Sequence, residues 1–180
     1  MHTSVEAYGF WKLLSIVAAK SYNKQKNFKS LNIIFPSLYG PFDKFDKMNS
    51  HVISSLIVKF FDAIKREQNV VNCWGDGKPI REFLFVEDAT EALVEITKSY
   101  NNIEPINIGS GKGYSIKKIA EIIKKNILYK GKIVWNKNMP NGALKKVLDN
   151  KKMLKNIKWR ASTKIEIGIA KTILWYNSNK

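Results

Sequence analysis

The stretch Leu31-Asn-Ile-Ile-Phe35, closed by Pro36, is short, apolar and rich in β-branched residues, which predicts a buried strand. Before it, apolar residues recur at helical spacing from about residue 4 to residue 23, which predicts a helix. A helix followed by a strand is the rhythm of an α/β fold. The apolar run at residues 13–19 is too short to cross a bilayer, and we expect it to form a buried face of this helix.

The rest of the chain continues this alternation. Residues 37–50 carry Pro and Gly signals and predict a loop, after which His51 is expected to open a helix reaching about residue 66. Strands are predicted at residues 70–74, 83–86, 106–108 and 132–135, and helices at 89–99, 115–127 and 163–176. Asp88 and Ser115 have the short polar side chains that suit helix N-caps. The pattern predicts an α/β protein.

The glycine-rich segment Gly109-Ser-Gly-Lys-Gly113 resembles a dinucleotide-binding turn. The dinucleotide fingerprint Gly-x-Gly-x-x-Gly would require a glycine at position 114, which is Tyr114. No acidic residue follows at the usual distance after a second strand. We therefore interpret the segment as a turn.

Length and composition predict a folded protein in a reducing compartment. The 180 residues, 44% of them hydrophobic, are enough for a domain with a real core. The single cysteine, Cys73, cannot form an intrachain disulfide, and this favours the cytoplasm. Asp43 and Asp46 do not fit the spacing of a calcium loop, so no metal is expected.

The net charge of +16 is concentrated in residues 112–158, which contain 14 lysines, no arginine and two acidic residues. Such a surface could bind nucleic acid by releasing counterions, or attract an anionic nucleotide-linked substrate. Base recognition favours arginine, and no nucleic-acid-binding motif is present, so nucleic acid is the weaker alternative. A solvated face in a lysine-rich chain is the simplest interpretation.

Tyr8 and Lys12 form a Tyr-x-x-x-Lys pair in the predicted first helix. Residues four apart share a helix face, so the ammonium of Lys12 would favour the phenolate form of Tyr8 by charge proximity. A phenol in that setting can exchange protons near neutral pH. The spacing is common by itself, and an exposed aromatic ring beside a solvated lysine is the alternative.

Nine short segments occur in an order that resembles one known family. They are Tyr8-Gly-Phe-Trp-Lys12, Leu38-Tyr-Gly-Pro41, Asp43-Lys-Phe-Asp46, Asn49-Ser-His51, Trp74-Gly-Asp-Gly77, Arg81-Glu-Phe83, Val86-Glu-Asp88, Asn107-Ile-Gly109 and Pro140-Asn-Gly142. Together they resemble the extended short-chain dehydrogenase/reductases that act on nucleotide sugars. Within these, the Asn-Ser-His element after Leu-Tyr-Gly-Pro resembles the GDP-L-fucose synthases rather than the general sugar epimerases.

The resemblance implies the C-terminal part of a Rossmann-type NAD(P)-binding fold plus a small α/β substrate-binding domain. Residues 1–42 would be a remnant of the cofactor domain. Residues 43–180 would be mainly the nucleotide-sugar-binding domain, with a return to the Rossmann sheet near residues 70–110. The family's glycine-rich cofactor loop, and the serine and cysteine of its site, do not occur upstream of Tyr8. We therefore expect a truncated chain that is poorly soluble and inactive alone.

The resemblance also implies catalytic roles. Tyr8 would be the acid/base, Lys12 would hold the nicotinamide ribose, and His51 would be the acid during epimerisation. Inversion beside a keto group needs a proton removed from one face and another delivered from the opposite face. The implied cofactor-binding residues are Tyr8, Lys12, Phe35, Pro36, Ser37, Leu38 and His51. Two of them depart from the family: Ser37 replaces the usual asparagine, and Pro36 replaces a small or β-branched residue.

For the substrate, the resemblance implies that Trp74 packs against the nucleotide sugar and that Arg81 contacts diphosphate oxygens as a fork. The full implied set is Asn49, Lys59, Trp74, Arg81, Asn141 and Lys146. Lys59 stands where arginine is usual, Asn141 stands where aspartate is usual, and Lys146 is a basic residue after the Pro-x-Gly loop. Without the resemblance, Trp74 would be interpreted as a core residue.

The expected activity is that of a GDP-4-keto-6-deoxymannose epimerase/reductase that uses NADP(H), with NAD(H) as a second possibility. A GDP-linked sugar and a homodimer of the full-length protein are the expected partners, and no membrane is expected. Two alternatives stay open: another NAD-dependent nucleotide-sugar 4-epimerase or reductase, and a basic nucleic-acid-binding module.

Overall fold

The computed structural model describes residues 6–46, 49–139 and 141–180, and these ranges contain six helices and eight strands. The helices are α1 Glu6–Lys26, α2 Val52–Lys65, α3 Val86–Ser99, α4 Ile116–Ile127, α5 Lys151–Asn156 and α6 Ile165–Ser178. The strands are β1 Ile33–Ile34, β2 Ser37–Tyr39, β3 Val70–Trp74, β4 Ile80–Phe85, β5 Ile106–Asn107, β6 Gly113–Ser115, β7 Lys132–Asn136 and β8 Lys145–Lys146. The predicted start of the first helix at residue 4, and Pro140 of the Pro-Asn-Gly segment, lie outside the described residues.

Most strand pairs are parallel. β1 pairs with β5, β2 with β4, and β3 with β7, each in parallel. β4 also pairs with β6 in the antiparallel sense and with β8 in parallel. Parallel neighbours need crossover connections, and helices lie between the paired strands along the chain. The predicted α/β class is confirmed.

Two hydrophobic cores share strand β4. Along this strand successive side chains point to opposite faces, so Phe83 and Phe85 join one core and Leu84 joins the other. The first core gathers α2, α4 and α6 around β3 and β4, with Ile57 and Phe60 fully buried. The second core gathers α3, α5 and β5. Each large side chain buried this way contributes about 1.5–3 kcal/mol of hydrophobic stabilisation.

The region around Pro36 differs from the prediction in two ways. The strand predicted at residues 31–35 is reduced to Ile33–Ile34, and Ile34 is exposed rather than buried. The loop predicted from residue 37 begins with strand β2, whose Ser37 and Tyr39 pair with Phe83 and Phe85. Pro and Gly indicate turns from the local sequence. They do not show that a strand from a later part of the chain will pair with the segment.

Helix α1 has no buried residue, so the prediction of a buried face at residues 13–19 is wrong for this chain. Leu13, Leu14 and Val17 are 43–51% exposed. The helix is tied to the rest of the chain by an ion pair between Lys20 Nζ and Glu104 Oε1, 2.8 Å apart. Periodicity predicts an apolar face without saying which surface covers it. Among the helices of the described residues, none combines the length and apolar character that a membrane-spanning segment needs.

The two predicted helix caps had different outcomes. Ser115 caps α4 as predicted, because its side-chain oxygen accepts a hydrogen bond from the backbone N–H of Lys118 at 3.1 Å. The prediction for Asp88 is wrong: α3 is preceded by Phe85 instead. Asp88 is buried and accepts hydrogen bonds from the backbone N–H and the hydroxyl of Thr163, at 3.1 and 2.8 Å. Its carboxylate ties α3 to the segment before α6.

Candidate functional site

A cleft of about 240 Å³ lies where α2, the end of β3 and the start of β4 meet α4 and β7. Four of the predicted substrate-binding residues line it: Lys59, Trp74, Arg81 and Asn141. They come from four separate segments of the chain. The fold therefore brings together residues that are far apart in the sequence.

Trp74 is the last residue of β3, and it is 52% exposed rather than buried in the core. The alternation of the strand buries Val71 and Cys73 and leaves Trp74 on the open face. Lys59, which projects from α2, places Nζ 5.3 Å from the centre of the indole ring. This is a cation–π contact, and it holds a positive charge beside a flat aromatic surface.

Asn141 supports the turn that follows Trp74. Its Oδ1 accepts a hydrogen bond from the backbone N–H of Asp76 at 2.9 Å. Gly75 has a φ of +75°, and a Cβ at this position would lie 2.1 Å from Asn141 Oδ1. A side chain at position 75 would be strained by the backbone and would also displace the amide. The turn and Asn141 thus form one wall of the cleft.

Arg81 lies in β4, and Lys146 of β8 is its direct partner across the strand pair. Arg81 Nη1 donates to the carbonyl oxygen of Ile80 at 2.9 Å, and burial lowers the pKa of its guanidinium from the ordinary value. Arginine nevertheless stays charged at neutral pH. Lys146 is exposed and does not line the cleft.

The electrostatics of the cleft favour an anion. Lys59 and Arg81 are the cations that line it, and no carboxylate occurs among the described residues of its lining. A recess lined by charges of one sign between low-dielectric walls concentrates the electric field and attracts ions of opposite sign. The cleft is therefore suited to a phosphate-bearing ligand with a flat or apolar group.

His51 and Asn49 border the cleft without lining it, whereas Ser50 between them does line it. His51 is the residue before α2, its side chain is 73% exposed, and its Nδ1 lies 3.7 Å from Asp43 Oδ1. The backbone N–H of Asn49 donates to Asp46 Oδ1 at 2.8 Å. The start of α2 thus carries an accessible imidazole at the edge of the cleft.

Tyr8 and Lys12, for which catalytic roles were predicted, lie side by side on α1. Lys12 Nζ lies 5.4 Å from the centre of the Tyr8 ring, and Tyr8 is 66% exposed. Neither residue lines the cleft. The phenol and the ammonium are both hydrogen-bond donors, and both are free to meet a ligand at this surface.

The other predicted cofactor segment, residues 35–38, runs from the end of β1 into β2. Phe35, Pro36 and Ser37 are half-buried, and Leu38 is 36% exposed. Ser37 and Leu38 are part of β2, which pairs with β4. The second half of this segment is therefore fixed by strand pairing and is not a free loop.

Trp135 also lines the cleft, although no site role was predicted for it. It was predicted only as a strand residue. Its ring approaches Gly77 so closely that a Cβ there would lie 2.8 Å from Trp135 Cζ2. Trp135 pairs with Cys73 across β3 and β7. This pairing places Trp135 beside Cys73, and so beside the cleft; the local sequence does not indicate it.

Cys73 also lines the cleft, and we predict that its thiol is unreactive. It is 2% exposed, and burial raises its pKa while Lys59 opposes the rise. Because the thiolate is the reactive form and forms only at higher pH, thiol–disulfide exchange of Cys73 with DTNB near pH 7.5 should be at least about tenfold slower than for free cysteine. The rate should rise with pH and on unfolding in urea. Equal rates in the folded and urea-unfolded chain would contradict this prediction.

Comparison with known proteins gives a consistent result. The sequence pattern of the NAD dependent epimerase/dehydratase family matches residues 2–109. The chain is 37% identical to GDP-L-fucose synthase of Sinorhizobium fredii over 174 residues, which are 97% of this chain and 55% of that protein. It is 32% identical to GDP-L-colitose synthase of Yersinia pseudotuberculosis, covering 100% of this chain and 59% of that protein.

A solved structure agrees with these similarities. The crystal structure of a GDP-L-fucose synthetase from Naegleria fowleri bound to NADP superposes with a TM-score of 0.91 at 29% identity. The superposition covers 99% of this chain and 57% of that one. The chain thus spans little more than half the length of the relatives it matches.

Proposed function

The chain belongs to the NAD dependent epimerase/dehydratase family, and from this premise we propose that it is the nucleotide-sugar-binding part of an epimerase/reductase most like GDP-L-fucose synthase. The observation that supports this most directly is the cleft. An indole, two cations and an amide surround one space at Trp74, Lys59, Arg81 and Asn141. The similarity to GDP-L-fucose synthases extends over 97% of the chain.

In this proposal the cleft holds the diphosphate. The Arg81 guanidinium can donate two parallel hydrogen bonds to phosphate oxygens, and Lys59 acts as a point charge. Lys146, beside Arg81 across the strand pair, adds a further cation at the edge. Small-molecule pockets usually measure about 300–1,000 Å³, so a cleft of about 240 Å³ would take the diphosphate and one neighbouring group, with Trp74 packing against that group.

The proposed chemistry divides between two groups of residues. A keto group acidifies the neighbouring C–H bonds, and His51 would deliver a proton to the face opposite the one that lost it. Tyr8 would exchange a proton with the keto oxygen, Lys12 would hold the cofactor ribose, and residues 35–38 would run beside the nicotinamide. When bound, NADP(H), or NAD(H) in the second case, supplies the hydride that reduces the keto group.

We also propose that residues 1–42 belong to the cofactor domain and that residues 43–180 are mainly the sugar-binding domain. The parallel pairing of β1 with β5 and of β2 with β4 supports a return of the chain to the cofactor sheet. Strand β3 pairs with β7 instead, so residues 70–74 fall outside that return. A homodimer of the full-length protein and a cytoplasmic location remain predictions.

The test is binding of GDP, measured by calorimetry. We expect the chain to bind GDP, and we expect Arg81→Ala and Trp74→Ala each to weaken binding at least about tenfold. A hydrogen bond to a charged group contributes about 1.5–3 kcal/mol, which corresponds to tenfold or more. Arg66→Ala and Trp11→Ala are matched controls, because both residues are exposed and lie outside the cleft.

Three outcomes would count against the proposal. If Arg66→Ala and Arg81→Ala weakened GDP binding equally, GDP would be attracted nonspecifically by the net positive charge of the chain. An absence of GDP binding would reject the cleft as a nucleotide site. Salt-dependent retention of short RNA or DNA without GDP binding would favour the nucleic-acid alternative.

The similarity to a GDP-L-colitose synthase supports a second candidate within the same class, an enzyme for another GDP-linked keto sugar. Two of the implied substrate-binding positions also differ from the family, because Lys59 stands in place of the usual arginine and Asn141 in place of the usual aspartate. A panel of 4-keto sugar nucleotides, offered to the full-length protein with NADPH, separates the candidates by turnover.

A further inference from the structure

We propose that Asp43 is a positioning residue for His51, an inference that rests on the proposed function of His51 as a proton donor. Asp43 Oδ1 lies 3.7 Å from His51 Nδ1. That distance is longer than a hydrogen bond, and the contact becomes an ion pair when the imidazole is protonated; catalytic hydrogen bonds are often long without substrate and shorten when it binds. The Asp43 side chain is 16% exposed and the His51 side chain is 73% exposed, so a shielded carboxylate faces an accessible imidazole.

The carboxylate of Asp43 is itself held in place. Oδ1 accepts a hydrogen bond from the backbone N–H of Lys44 at 2.8 Å, and Oδ2 accepts one from the hydroxyl of Ser54. Ser54 is fully buried and lies in the first turn of α2, the helix that His51 precedes. A hydrogen bond thus fixes the Asp43 carboxylate to the N-terminal end of α2, and His51 directly precedes the same helix.

The backbone around Asp43 is also constrained. Phe42 has a φ of +65°, a left-handed conformation that costs a residue other than glycine about 1–3 kcal/mol. Its ring lies 5.0 Å from the ring of Trp175 on α6, and the ring of Phe45 stacks on Trp175 at 5.6 Å. Aromatic contacts on both sides of Asp43 therefore stabilise a strained loop. Strain that the surrounding structure maintains is typical of functional positions.

This arrangement assigns the two ring nitrogens of His51 different tasks. An Nδ1–H directed at a carboxylate leaves Nε2 to exchange the proton. In the transfer, the Nε2–H bond breaks, the electron pair of the substrate enolate forms a new C–H bond, and the imidazole becomes neutral. It keeps its Nδ1 proton, Asp43 remains ionised, and Nε2 regains a proton from solvent.

The first test reads the tautomer of His51 by ¹⁵N NMR at alkaline pH. The chain contains two histidines, His2 and His51, so the ring signals are readily assigned and His2 is an internal reference. We expect wild-type His51 to carry its proton on Nδ1, and Asp43→Ala to move it to Nε2. Asp149→Ala, which removes an exposed carboxylate elsewhere, should leave the tautomer unchanged.

Asp43→Asn removes the charge at almost constant size and provides a second variant if Asp43→Ala does not fold. It should lower the fraction of His51 protonated at Nδ1. A wild-type tautomer in either folded variant would overturn the proposal. Because this readout needs no turnover, it does not depend on the proposed reaction.

The second test follows epimerisation in the full-length protein by incorporation of solvent deuterium into the sugar. Asp43→Asn should lower kcat about tenfold, a part of the roughly 10²–10⁴-fold that a positioned general acid contributes, with little change in KM. Normal epimerisation after His51→Gln would reject the proposed role of His51. Loss of epimerisation in His51→Gln but not in Asp43→Asn would reject the role of Asp43 alone.

Discussion

Tyr8→Phe in the full-length protein is expected to lower kcat roughly 10²–10⁴-fold, the usual contribution of a positioned acid/base. The substitution removes one oxygen and keeps the ring that Lys12 approaches at 5.4 Å, so substrate binding should change little. In the proposed reaction, the keto oxygen would then lose its partner for the proton that accompanies reduction. The measurement is the loss of NADPH absorbance in the presence of a GDP-linked 4-keto sugar.

The matched control for this prediction is Tyr22→Phe, because Tyr22 lies on the same helix and is similarly exposed. We expect its turnover to equal that of the wild type. A Tyr8→Phe protein with nearly unchanged kcat would assign the proton transfer to another group. The Tyr8–Lys12 pair would then be the ordinary surface pair that its spacing also allows.

Phe60→Ala is expected to lower the free energy of unfolding by about 3–5 kcal/mol, the usual cost of truncating a buried phenylalanine. Phe60 is fully buried in the first core, and its ring meets that of Tyr129 edge-on at 5.4 Å. Total stability of a domain is about 5–15 kcal/mol, so this loss would be a large share. Urea unfolding followed by circular dichroism measures the change.

Ile64→Ala is the control on the same helix, because Ile64 is 45% exposed. Ile64→Ala should lower the free energy of unfolding much less, by about 1 kcal/mol or below. Similar losses at both positions would show that α2 does not pack as described. Because Lys59 lies on α2 and His51 at its start, Phe60→Ala should also weaken GDP binding by loosening the cleft wall.

The elements predicted most accurately are those specified by local sequence. Strand β3 has the predicted bounds, and helix α2 begins directly after His51 as predicted. Ser115 caps α4 because an N-cap hydrogen bond needs only residues three apart. In each case the side chains that decide the structure are neighbours in the chain.

The failures share the opposite property. Strand β2 was predicted as loop because its partner, β4, lies far along the chain. Asp88 was predicted to cap α3, but Thr163 offers its carboxylate two hydrogen bonds from a distant segment. The apolar residues of α1 were predicted to be buried, and this chain leaves them exposed. Local patterns carry no information about which distant surface arrives as a partner.

The sequence by itself determined the α/β class and the residue types available for a site. The period of apolar residues distinguishes helix from strand, and the order of short segments indicates a nucleotide-sugar enzyme. The tertiary structure decided that Lys59, Trp74, Arg81 and Asn141 surround one cleft, that Trp135 joins them and that Asp43 faces His51. These contacts depend on strand pairing and helix packing between remote segments, and the geometry of that packing exists only in the folded chain.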